Sequence, residues 1–60
     1  MARLSEFEMA IVRAWSALDV KGVTATPAEV TAQLLAMGTV ATEHDVAGKL
    51  AELTLRGQIP

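Results

Sequence analysis

Three times in this 60-residue chain a serine or threonine stands three residues ahead of an acidic side chain and opens an apolar repeat of helical period. No other feature restricts the fold so strongly. A hydroxyl at the N-cap accepts a hydrogen bond from the N3 amide, satisfying one of the orphan donors that make starting a helix unfavourable. At Ser5-Glu6-Phe7-Glu8 the spacing is a full capping box, in which Glu8 also reaches back to the Ser5 amide. Leu4 and Met9 flank it in the positions of a hydrophobic staple. Thr26-Pro27-Ala28-Glu29 repeats the pattern with proline at the first helical position and Glu29 closing the box. Thr42-Glu43-His44-Asp45 is the third start, with an acid at N3.

Each start leads into a stripe. Phe7, Ile11, Trp15 and Leu18 share one face of a first helix, which should end near Asp19 because Lys21-Gly22 breaks the pattern. Val30, Leu34 and Met37 form the inward stripe of a second helix, and Gly38 supplies its left-handed end. Val46, Leu50 and Leu53 recur at i, i+4, i+7 in a third, which Arg56 favours by charge and Gly57 stops. The second and third helices are joined only by residues 38–41, the arrangement of a helix-turn-helix. Val23-Thr24-Ala25 and Gln58-Ile59-Pro60 read as extended chain, leaving room for one minimal two-strand pairing of Gln58-Ile59 with Val23-Thr24. The expected fold is therefore mainly all-α, a three-helix bundle forming a single domain over residues 1–60.

So short a chain buries only roughly 60% of the surface its unfolded form exposes, so its margin of stability is thin. Without cysteine it has neither disulfides nor a thiolate metal site to help. What remains is a dense apolar core and association with another surface. The hydrophobic share, 52% with only 3% aromatic, suits closely approaching helices built on alanine, valine and leucine. It also predicts an exposed apolar patch, and hence a protein partner or a second copy. No run approaches the roughly 18 apolar residues of a membrane span. Met1-Ala2-Arg3-Leu4 lacks the apolar stretch of a signal peptide, so the expected location is cytoplasmic.

Asp45-Val46-Ala47-Gly48-Lys49-Leu50-Ala51-Glu52-Leu53-Thr54-Leu55-Arg56-Gly57-Gln58-Ile59 resembles the recognition helix and following turn of winged-helix transcriptional regulators. Leu4-Ser5-Glu6-Phe7-Glu8, running into Ile11-Val12-Arg13-Ala14-Trp15, looks like their first helix. Val23-Thr24 sits where they place a short strand. The resemblance spans nearly the whole chain and rests on core positions, which speak to fold more than to function. It implies double-stranded DNA as partner, with the third helix in the major groove. Thr42, His44 and Lys49 would then approach bases or phosphates, and Thr39 and Arg56 would lie at the edges. The β-hairpin wing of those regulators does not fit before Pro60: either the natural chain continues or the wing is absent.

Charge opposes that implication. The formal net charge is −2, and residues 27–55 carry Glu29, Glu43, Asp45 and Glu52 against Lys49 alone. Phosphate contacts supply most non-specific DNA affinity, and an acidic reading head forgoes them. Asp45/Lys49 and Glu52/Arg56 are also spaced to pair at i, i+4, which would occupy the cations a phosphate needs.

No catalytic site, cofactor site or metal site can be assembled. His44 is the sole histidine, and its neighbours Glu43 and Asp45 point away from it on a helix, so it reads as a solvent-exposed first-turn residue. Glu6 and Glu8 diverge at i, i+2 and are explained as cap and macrodipole residues. Trp15 reads as core, with an interface anchor as the alternative. Met9, Leu35 and Leu55 fall off the main stripes, either finishing a broad core or forming, with Trp15, an association patch. Gly48 costs a mid-helix position about 1 kcal/mol against alanine; close packing on the first helix would explain it, and approach of a partner backbone is the alternative. Two functions from different classes stand: a winged-helix-like DNA-binding regulator, and an acidic protein-interaction module on the same fold that does not itself bind DNA. Either is expected as a homo-oligomer or as part of a larger assembly.

Overall fold

The computed structural model describes residues 4–59, so the readings of Met1-Ala2-Arg3 and of Pro60 lie outside the described residues. Three helices make the fold: α1 (Glu6–Lys21), α2 (Pro27–Ala36) and α3 (Glu43–Leu55). Each begins where its cap was read. The Ser5, Thr26 and Thr42 side chains accept from the amides of Glu8, Glu29 and Asp45, respectively. Only Ser5 forms the reciprocal box; at Thr26 the Glu29 amide donates, but its carboxylate does not return the bond.

Each helix also stops in the same way. The amides of Gly22 and Val23 donate to Asp19 and Leu18, those of Gly38 and Thr39 to Leu35 and Leu34, and those of Gly57 and Gln58 to Thr54 and Leu53. In each case the glycine has a positive φ, 74°, 88° and 73° in chain order. These are Schellman turns, in which a left-handed residue lets the chain fold back on its own last carbonyls. α1 consequently runs to Lys21 rather than ending near Asp19, because its stop is Gly22 and not the loss of apolar periodicity.

The same turns remove the expected strand pairing. The Val23 and Gln58 amides, which a ladder would need, are already donating to Leu18 and Leu53. No strand forms among the described residues, whose regular structure is wholly helical. Ile59 opens no strand and instead closes the core.

That core comprises Ile11, Ala14 and Leu18 of α1, Val30 and Leu34 of α2, Val46 and Leu53 of α3, and Ile59. Phe7, Trp15 and Leu50 are half-buried against it, as are Leu4, Ala25 and Ala41. Trp15 thus packs on the core with its remainder open. Met37, expected on the inward stripe of α2, is exposed because the helix has ended at Ala36 and the backbone is already turning toward Gly38. Among the described residues no buried side-chain polar atom lacks a partner, and no helix is long and apolar enough to cross a membrane.

Candidate interaction surface of the third helix

The residues singled out in the sequence divide between two sides of α3. On the side facing α1, Glu8 is the one buried charged residue among those described. Its two carboxylate oxygens do different work. Oε1 accepts from the Ser5 amide at 2.9 Å, completing the capping box. Oε2 accepts from Arg56 Nη1 at 3.0 Å and lies 3.9 Å from Lys49 Nζ. Both cations also meet Glu52, Lys49 at 3.3 Å and Arg56 at 3.6 Å. One carboxylate therefore caps its own helix and clasps the C-terminal half of another 48 residues further along.

The Ser5 amide, then its hydroxyl, hold the Glu8 carboxyl below its ordinary value. Partial burial opposes the shift, and the positive charges of Lys49 and Arg56 add to it. Favouring the charged form by hydrogen bonds and nearby cations is the usual way a carboxylate is acidified.

Lys49 does not pair with Asp45, the i, i+4 partner expected for it; it turns toward Glu52 and Glu8 instead. Lys49 Nζ lies 3.3 Å from Glu52 and 3.9 Å from the buried Glu8 carboxylate, two acids in place of the single exposed Asp45. Glu52/Arg56 does form as read. Arg56, expected at the edge of a DNA contact, sits at the C-cap of α3 with its side chain one-third exposed. Thr42 has its hydroxyl committed to the Asp45 amide at 3.1 Å, and Thr39 is half-buried in the α2–α3 turn.

The opposite side of α3 is different. His44, Gly48, Ala51 and Leu55 recur at i, i+4, i+7 and i+11, share one face, and are all exposed. Leu55 is 89% exposed. A Cβ built on Gly48 would meet nothing within 4 Å. Close packing therefore does not account for this glycine, and nothing within the fold does. Asp45 and Glu52, both exposed, rim the face.

Of the other apolar residues off the stripes, Leu35 on α2 is 64% exposed, and Met9 on α1 is exposed as well. They and Leu55 lie on three different helices, and none of the three finishes the core. The sequence reading missed one feature of this surface, the tertiary contacts of Glu8. Its capping position was legible, but no local spacing connects it to Arg56. Among the described residues no group of three metal-ligating side chains converges, and the histidine stands apart on the outer face. Compared with protein-family models, curated proteins and solved structures, the chain matches none.

Proposed function

We propose that this domain is a protein-interaction module carried on a helix-turn-helix body. The observation that carries the reading is the disposition of charge on α3. Its two C-terminal cations, Lys49 and Arg56, are held by Glu8 and Glu52, while Glu43, Asp45 and Glu52 remain exposed. A duplex approaching this helix meets carboxylates before it meets a cation, and the counterion-release term that supports non-specific DNA binding is lost. A protein surface has no such requirement. Exposed leucines at positions 35 and 55 on so small a body support association through apolar side chains, and the acidic rim favours a partner whose contacting surface is basic.

DNA binding is the second reading. It rests on the helix order, which resembles that of winged-helix regulators, and on the exposure of His44 in the first turn of α3, where recognition helices contact bases. Fluorescence anisotropy of a labelled random-sequence duplex separates the two. The interaction reading expects no binding even at low salt. Binding that weakens steeply as salt rises would replace it with the DNA reading.

A further inference from the structure

We propose that Lys49 and Arg56 form a latent phosphate-binding site, held occupied by the chain's own Glu8 carboxylate. The inference rests on the interaction-module reading and supplies the reason this helix would refuse a polyanion. Two cations seven residues apart on α3, which places them on one side of the helix, converge on a single oxygen, Glu8 Oε2, at 3.9 and 3.0 Å. Arg56 donates a hydrogen bond to that oxygen and Lys49 stands beside it at ion-pair distance, an arrangement a phosphate oxygen can take in place of the carboxylate oxygen. The occupant is buried, with its side chain 8% exposed. The cations are not: Lys49 is 36% and Arg56 33% exposed, so both remain within reach of a ligand arriving from solvent.

Glu8 is positioned for this by its second role. Its other oxygen is fixed to the Ser5 amide, so the carboxylate is held at the α1–α3 seam and does not have to be ordered by the cations. Glu52, by contrast, is half-exposed and hangs from the same helix as its partners; its pairs are of the screened surface kind. Removing the charge at position 8 should therefore release Lys49 and Arg56, and removing the charge at position 52 should release them much less.

The test uses a random-sequence DNA duplex as phosphate probe and Glu8→Gln as the principal variant. Glutamine at N3 keeps the bond to the N-cap amide and changes only the charge. The unaltered protein is its reference, and circular dichroism checks that both are folded. The reference is expected to show no binding, and Glu8→Gln to gain binding that falls roughly twentyfold for a fivefold rise in salt, the slope for two phosphate contacts. Adding Lys49→Ala should abolish the gain, and Glu52→Gln alone should give little of it.

A folded Glu8→Gln protein that still ignores DNA overturns the latent site and leaves the interaction-module reading intact. Salt-sensitive binding by the reference protein overturns both, since the cations would then be available with Glu8 in place. Loss of the helical circular dichroism signal in Glu8→Gln also overturns the proposal, because the carboxylate would then be a condition of folding rather than an occupant.

Discussion

The two sides of α3 differ in a way that its composition does not announce. Toward the rest of the molecule the helix presents Val46 and Leu53, fully buried, with Lys49 and Arg56 beside them gripping Glu8. Toward solvent it presents His44, Gly48, Ala51 and Leu55, which meet no part of the fold that would explain them. Apolar content alone would not separate these sides, since each carries a leucine. Charge does. The cations have been drawn inward to satisfy a buried acid, and the outer side is left apolar along its crest and acidic along its rim. A helix can thus look like a DNA reader in its spacing while its electrostatics are directed toward its own core.

Leucines two residues apart allow the sharpest attempt to break this comparison. Leu53→Ala, at a site with no exposure, should destabilise the domain by about 2–5 kcal/mol, the cost of a buried cavity. Chemical denaturation would read it as a lower midpoint. In a domain this small that loss is comparable with the whole stability, so much of the variant should be unfolded in water.

The next effect has the opposite sign. Gly48→Ala should stabilise by about 1 kcal/mol, because alanine is the better helix former and its methyl group meets open space. A destabilised variant would mean that the outer side is covered by a second copy in solution, which sedimentation would reveal.

Acid titration probes the inner side and is confined to a narrow pH range. The folded-state pKa of Glu8 lies below its unfolded value, taken as 4.5. A depressed carboxylate contributes stability that is fully present above the unfolded value and is lost as pH falls through the folded one. Denaturation midpoints followed downward from neutral pH should therefore hold level and then drop below about pH 4.5, and Glu8→Gln should flatten that drop. An unchanged acid limb would mean that other carboxylates produce it.

Smallest of all, Leu55→Ala should change stability by no more than about 0.5 kcal/mol, as surface substitutions do. Set beside Leu53→Ala, it measures the difference between the two sides directly. A large loss at position 55 would show that this leucine is buried in an assembly.

Much of this was legible in the chain. The hydroxyl caps at Ser5, Thr26 and Thr42 act through bonds from amides three residues ahead; the amides of Gly22, Gly38 and Gly57 donate to carbonyls three residues behind, and the residue after each glycine donates five residues behind. Such interactions are complete within one turn, so residue identity and spacing suffice to read them. Three helices, their order and most of their inward stripes followed by the same logic. Met37 was misjudged because periodicity was carried past the point where the chain had begun to turn.

The candidate surface was harder to read because it depends on which residues of distant segments meet. Lys49 had an exposed aspartate at i−4 and a glutamate at i+3, and local spacing could not choose between them. Only α1, laid along α3, brought in Glu8 and decided the matter. Likewise, Gly48 and Leu55 acquire meaning only once the tertiary structure shows that nothing packs on them. The sequence by itself determined where each helix begins and which glycine stops it, since capping is satisfied locally. The tertiary structure decided which charges are spent within the fold and which side of α3 is left exposed, since both follow from contacts between residues far apart in the chain.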